Sequence, residues 1–271
     1  ISRNKCGLFT PVQALGNFLG GQFVAPAGQA LLSRNPAADG AVVFETGFTG
    51  GAVGDAAGAA AAAQAGWGSL SQAERWAHLE RFKAELAKRA DLLADAIVLE
   101  TGKLRSEAKQ EVTTVLNRFE LVRGTMAADL KSGAVAAGKV LRYQPLGVVG
   151  VIGPFNFPLH LCHAHVVPAL AAGNTVVVKP SDITPLCGQR YAEAAQAAGL
   201  PAGILNVVAG TGEVGAAMVA APEIRGLCFT GSWAVGRRIL EAALDRPELL
   251  VALEMGGKNA CVVLDDCQLR Q

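Results

Sequence analysis

Gly147-Val148-Val149-Gly150-Val151-Ile152-Gly153-Pro154-Phe155-Asn156-Phe157-Pro158 is the stretch on which the reading of this chain turns. From Gly147 onward the apolar pattern changes to short runs: Val148–Ile152, Val176–Val178, Ile204–Val208, Leu227–Phe229 and Leu249–Leu253. Leucine or β-branched residues dominate them, as parallel strands buried on both faces require. Helical stretches fill every gap. This alternation predicts right-handed βαβ units in an open, doubly wound parallel sheet of the α/β class. Its ligands should gather beyond the carboxyl ends of the strands.

Upstream, the period is helical. The first thirty-odd residues read as a peripheral strand region, and Asn35-Pro36 with Asp39-Gly40 marks a turn between short extended pieces. An alanine-rich helix begins over Ala56–Ala63. Ser71-Gln72-Ala73-Glu74 has the form of a capping box, and Trp76, Leu79, Phe82 and Leu86 then lay an apolar stripe along one helix face. Asp91 is expected to cap a second helix carrying Leu92, Leu93, Ile97 and Leu99, which Gly102 terminates. A third helix runs from about Ser106 to Arg123. Lys131 to Gln144, with Gly133 and Gly138, reads as a protruding β-hairpin before the first core strand.

The composition bounds the function. The chain has 271 residues, 51% of them apolar and 17% charged, enough for one large α/β domain or two smaller ones with a well-buried core. Its 24 basic and 23 acidic residues form no block of one sign, which argues against a nucleic-acid or polybasic membrane surface and favours small-molecule partners. No apolar run approaches bilayer-spanning length, and the start, Ile1-Ser2-Arg3-Asn4-Lys5-Cys6, carries no apolar signal-peptide core, so neither export nor an anchor is expected. The six cysteines are widely spaced without a Cys-x-x-Cys pair, which argues against a disulfide scaffold or a zinc knuckle. A reducing cytoplasm is the expected compartment.

Four places carry chemistry. Asn156 follows a strand and precedes a helix start, so its amide is a neutral donor at the strand's carboxyl end; the plainer alternative is a turn or cap residue. Lys179-Pro180-Ser181-Asp182 leaves the next strand with an ammonium and a carboxylate able to hold vicinal ribose hydroxyls, or forming only a surface ion pair. Gly231-Ser232 with Gly236 stands between a strand and a helix, where backbone N–H groups and the helix dipole can meet a pyrophosphate; a helix-capping serine is compatible with that role. Glu254 ends an apolar strand, a setting expected to raise its proton affinity toward neutrality, as suits a general base; the alternative is an inert strand-end glutamate. His160, Cys162, His163 and His165 invite a metal reading, but on one helix they fan around the axis, so no metal site is assigned. Cys162, Cys261 and Cys267 are read as ordinary thiols, not nucleophiles.

Taken in order, Gly153-Pro154-Phe155-Asn156-Phe157-Pro158, Lys179-Pro180-Ser181-Asp182, Phe229-Thr230-Gly231-Ser232 and Leu253-Glu254-Met255-Gly256-Gly257-Lys258 resemble the cofactor-binding half of the aldehyde dehydrogenase superfamily. The resemblance implies a Rossmann-like sheet with preceding helices. Residues 1–130 and 146–254 would form the nucleotide-binding domain, 131–145 an oligomerisation hairpin, and 255–271 the start of a truncated catalytic domain. It implies NAD, held by Ile152, Pro154, Phe155, Lys179, Ser181, Asp182, Gly231, Ser232, Gly236 and Gly256. A carboxylate at Asp182 would repel an added 2′-phosphate, although NAD-preferring members usually carry the longer glutamate there and NADP is the alternative. Phe155 stands where tryptophan is common.

In the same family Asn156 stabilises the oxyanion formed when a cysteine attacks the aldehyde, worth about two to four kcal/mol. Glu254 would activate water to release a free carboxylic acid, a base that coenzyme-A-acylating relatives lack. The family's nucleophilic cysteine lies roughly thirty residues beyond the glutamate, so it is expected to be missing from a sequence ending at Gln271, which alone should not turn over aldehyde. Arg34-Asn35-Pro36, Asn156–His160 with His165, and Ala252–Gly257 look most like members acting on succinylglutamate semialdehyde. The hairpin's family role implies a homo-oligomer; an ordinary surface hairpin is the plainer reading. The competing class is a truncated, non-catalytic dinucleotide-binding or structural module.

Overall fold

The computed structural model describes residues 12–129, 132–257 and 259–267; Cys6, Lys131 and Lys258 lie outside them. Two short strands, β1 (Asn17–Leu19) and β2 (Gln22–Val24), are followed by an antiparallel pair, β3 (Gln29–Asn35) and β4 (Ala41–Phe48). Asp39 and Gly40 adopt positive φ in the turn between β3 and β4, the role expected of an Asp-Gly step. Four helices come next: α1 (Ala52–Ser69), α2 (Gln72–Lys88), α3 (Ala90–Thr101) and α4 (Arg105–Asp129). β5 (Gly133–Ala136) and β6 (Lys139–Leu141) form the hairpin. The rest alternates: β7 (Val148–Ile152), α5 (His160–Ala171), β8 (Thr175–Lys179), α6 (Pro185–Ala197), β9 (Leu205–Val207), α7 (Gly212–Ala220), β10 (Ile224–Gly231), α8 (Trp233–Ala243) and β11 (Leu250–Met255).

The main sheet has the order β11-β10-β7-β8-β9-β1-β2, with the five strands from β11 to β9 parallel and β1 and β2 antiparallel at one edge. The chain therefore winds outward from β7 through β8 to β9, then returns to place β10 and β11 on the other side of β7. That reversal leaves a crevice at the carboxyl ends of β7 and β10.

Strand periodicity decides which helices cover which face. Val149, Val151, Val176 and Val178 belong to one core with the buried residues of α2 to α6. Their neighbours Val148, Ile152 and Val177 belong to the other, with α1, α7 and α8. Every residue of β7 and β8 is buried, the signature of a strand covered on both sides. Gly153 continues this packing past the end of β7. A Cβ there would lie 2.1 Å from Cys162 Sγ, so glycine is what lets the first turn of α5 close over the strand end.

The capping box forms as expected: Ser71 Oγ accepts from Glu74 N–H at 3.2 Å and Glu74 Oε2 from Ser71 N–H at 2.7 Å. Gly102 ends α3 in the left-handed conformation. The expected cap at Asp91 is not formed. Arg89 occupies the cap position of α3 and Asp91 lies inside its first turn, pairing with Arg105 and Lys109. The alanine-rich helix begins at Ala52 and runs on to Ser69, because Trp67 extends its buried face. α4 likewise outruns the expected Ser106–Arg123 span, and β3 and β4 pair with each other outside the main sheet.

Candidate active site

A cleft of about 1680 Å³ opens at the topological reversal. One wall is the end of β7 with its loop, contributing Ile152, Pro154, Phe155 and Asn156. The last residue of β8, Lys179, and the loop after it, with Ser181 and Asp182, add a second part. Across the reversal, Gly231 ends β10 and Ser232 follows it, and Glu254 and Gly256 come from β11 and the residues just past it. Of the twelve residues singled out in the sequence, Gly236 alone does not line the cleft. It is buried on α8 facing Met255, where a Cβ would meet Sδ at 1.9 Å.

Asn156 is exposed, and its Oδ1 accepts the N–H of Phe157 at 3.0 Å. With the carbonyl oxygen engaged by its own turn, the two hydrogens of Nδ2 have no acceptor among the described residues. Lys179 is 5% exposed, and its Nζ makes one hydrogen bond among the described residues, to the carbonyl of Pro180 at 3.0 Å. Burial lowers its proton affinity and the charge of Asp182 partly restores it. A nearly buried ammonium with donors to spare suits neutral hydroxyl acceptors. Asp182 is exposed, accepts a bond from Ser181 Oγ at 3.3 Å, and is not ion-paired with Lys179. At α8, Ser232 is the N-cap and its hydroxyl accepts from Val235 N–H at 3.4 Å, which leaves other first-turn N–H groups for an anion.

Glu254 departs from expectation. It pairs across from Thr230 at the ladder's end, but its side chain is exposed, so the apolar strand before it does not enclose the carboxylate. β11 is an edge strand of the sheet and its residues are only half covered. His165 lines the same cleft; burial lowers its proton affinity, and the charge of Glu254 acts in the opposite sense.

Three further features of the site lie outside the sequence motifs. The first is a slot between α7 and α8, lined by Gly215, Ala216 and Val219 on one side and Val235, Ile239 and Ala242 on the other. Small residues recurring at three- and four-residue spacing on α7 are the signal that could have marked it. The other two are buried carboxylates. Glu111, on α4, accepts the N–H groups of Leu159 and His160, both at 3.1 Å, at the start of α5. Glu100, on α3, accepts those of Leu186 and Cys187, at 2.9 and 2.8 Å, at the start of α6. Neither helix has a side-chain cap of its own. The unpaired first-turn N–H groups of each helix are satisfied by these carboxyl oxygens.

The histidines of α5 separate as the helix turns. His163 is fully buried against Phe82 and Phe119, with Nδ1 2.7 Å from Tyr191 Oη, and burial pushes it down to about 3. His160 and His165 line the cleft. Cys162 is buried and pushed up to about 12 by desolvation, and Cys187 is also buried and raised. Cys228 is half-buried; Cys261 and Cys267 are exposed but do not line the cleft.

The family model described as the aldehyde dehydrogenase family matches residues 23–271. The chain belongs to the aldehyde dehydrogenase family. Among curated members, it is 43% identical over 253 residues to N-succinylglutamate 5-semialdehyde dehydrogenase 2 of Caulobacter vibrioides, covering 92% of this chain and 52% of that protein. It is 41% identical over 254 residues to the N-succinylglutamate 5-semialdehyde dehydrogenase of Burkholderia ambifaria, covering 91% and 51%. Aldehyde dehydrogenase C of Pseudomonas syringae, solved as a mutant with NAD+ and octanal, superposes with a TM-score of 0.87 at 35% identity, covering 93% of this chain and 52% of that one. An NADP-dependent glyceraldehyde-3-phosphate dehydrogenase of Bacillus halodurans, solved with NADP, gives 0.83 at 33% identity, covering 94% and 55%. The chain thus spans about half the length of the family members it matches.

Members of this family bind NAD or NADP. The donor set fits such a dinucleotide: an apolar slot for a base, a buried ammonium and an exposed carboxylate for hydroxyls, and a helix N-terminus for phosphates. No described helix is long and apolar enough to cross a membrane.

Proposed function

We propose that the complete protein carrying this chain oxidises an aldehyde to a free carboxylic acid with NAD, and that its substrate is succinylglutamate semialdehyde. The observation that supports it most is the meeting of Asn156, Lys179, Ser232 and Glu254 on one cleft at the sheet's reversal. When bound, the nicotinamide accepts the hydride. On this reading the slot between α7 and α8 takes the adenine, Lys179 and Asp182 take the ribose hydroxyls, and the first turn of α8 takes the pyrophosphate. Asp182 disfavours an added 2′-phosphate by like charge, which is the ground for choosing NAD over NADP. The named relatives from Caulobacter and Burkholderia are the ground for the substrate.

Asn156 and Glu254 act on the aldehyde. Nδ2 of Asn156 donates to the carbonyl oxygen as charge develops on it, worth about two to four kcal/mol. Glu254, exposed in this chain, takes a proton from the water that releases the acid from a cysteine thioester. None of the described cysteines lines the cleft, so the attacking thiol is assigned to a part of the protein outside these residues. Residues 1–130 with 146–254 act as the nucleotide-binding unit, and 255–271 lead into the catalytic one. The hairpin 131–145, whose Val135, Val140 and Tyr143 are exposed, is assigned to contact with a second copy of the protein in a cytoplasmic homo-oligomer.

The test is reduction of NAD and of NADP by the purified complete protein with succinylglutamate semialdehyde and with short aliphatic aldehydes. The expected result is a higher kcat/KM for the semialdehyde with NAD and release of free acid without coenzyme A. No turnover of any aldehyde, or a higher kcat/KM with NADP, would defeat the corresponding part.

A further inference from the structure

An oxyanion donor is useful only if it is fixed before charge appears on the substrate, yet Asn156 sits exposed on a loop. Its own turn orients the carboxamide through Phe157 N–H but does not anchor the turn to the protein. The anchor comes from α4. Glu111 Oε1 grips the N–H groups of Leu159 and His160, and Oε2 takes Lys103 Nζ at 3.0 Å. The same Nζ stands 3.6 Å from the centroid of the Phe157 ring. The side chain of Glu111 is completely buried, so its charge is committed to these partners.

We propose that Glu111, ion-paired with Lys103, is a positioning residue for the Asn156 carboxamide. The proposal rests on the oxyanion role given to Asn156 above. Residue 157 is held through its ring and residues 159–160 through their N–H groups, so the segment following Asn156 is fixed from one side of the cleft. A comparison within the molecule separates this from simple capping. Glu100 performs the same service for α6 with two backbone N–H groups and no ion-pair partner among the described residues. A buried carboxyl group accepting two backbone N–H groups therefore caps a helix without a lysine. The added lysine at Glu111 reaches the residue next to the proposed donor.

The experiment is a double-mutant cycle on kcat in the complete protein, using Asn156→Ala, Glu111→Ala and both together, with NAD affinity measured for each. Glu111→Ala is expected to lower kcat by about tenfold or more with NAD affinity held within about twofold. In the Asn156→Ala background the same change is expected to cost less than about twofold, because the group it positions is already gone. Equal losses in both backgrounds would show a general structural role and overturn the proposal, as would an unchanged kcat in Glu111→Ala. An unchanged kcat in Asn156→Ala would defeat the oxyanion reading itself and the proposal with it. If Glu111→Ala does not fold, Lys103→Met carries the same cycle, since it leaves Glu111 Oε1, the acceptor of both N–H groups, in place.

Discussion

Glu100 makes the stability of this fold depend on pH in an unusual direction. Burial pushes its carboxyl from an ordinary 4.5 up to about 7, opposed by the N–H groups of Leu186 and Cys187. The folded chain therefore holds a proton that the unfolded chain releases near 4.5. Stability from this group is fully present below 4.5 and is lost as pH rises toward 7. The loss is about 3 kcal/mol, at roughly 1.4 kcal/mol per pH unit. His163 works the other way. Held neutral by burial and pushed down to about 3, it favours the fold above its ordinary 6.5 and withdraws that support as pH falls toward 3. Between 4.5 and 6.5 the two slopes oppose each other, so the unmodified protein's pH profile alone does not reveal either.

Glu100→Gln keeps the shape and one acceptor oxygen but removes the titration. The lost acceptor is expected to destabilise the variant by about 1–3 kcal/mol at low pH. Urea unfolding of both proteins at about pH 5 and about pH 8 gives the difference in stability, from which His163 cancels. That difference should shrink by about 2–3 kcal/mol toward high pH and approach zero or change sign. A constant or widening difference would refute the reasoning.

Gly236→Ala should destabilise by about 1–3 kcal/mol, because the new methyl would lie 1.9 Å from Met255 Sδ and 2.9 Å from Cγ. Thermal melting reads the loss, and shortening Met255 to alanine in the same molecule should recover part of it; an unchanged melting temperature in the single variant would contradict the packing argument. With a thiol-specific reagent in native buffer and mass-spectrometric mapping, Cys261 and Cys267 should be modified rapidly while Cys162 and Cys187 stay unmodified. Modification of Cys162 at the rate of Cys261 would show that the end of β7 is open to reagent.

The positions of the candidate chemical groups were legible because they are written into local pattern. A run such as Val148–Ile152 is a strand by composition, and the residues after it must stand at a carboxyl end. Asn156, Lys179, Ser232 and Glu254 were each found that way, and each lines the cleft. The surroundings of their side chains were not legible. The apolar strand before Glu254 suggested enclosure, but neighbours along the chain do not decide coverage at a sheet edge, and the carboxylate is exposed. Asp91 looked like a cap because its residue type favours one; Arg89 took the position and Asp91 turned to Arg105 and Lys109.

By itself, the sequence determined the α/β alternation, the family and the order of the cleft-forming segments, since these depend on short-range periodicity and contiguous motifs. Only the tertiary structure decided that Glu100 and Glu111 cap helices 86 and 48 residues away, and that α7 and α8 enclose a slot. A helix start without its own cap can be satisfied by any acceptor the fold brings near. That choice depends on how α3 and α4 pack against α6 and α5.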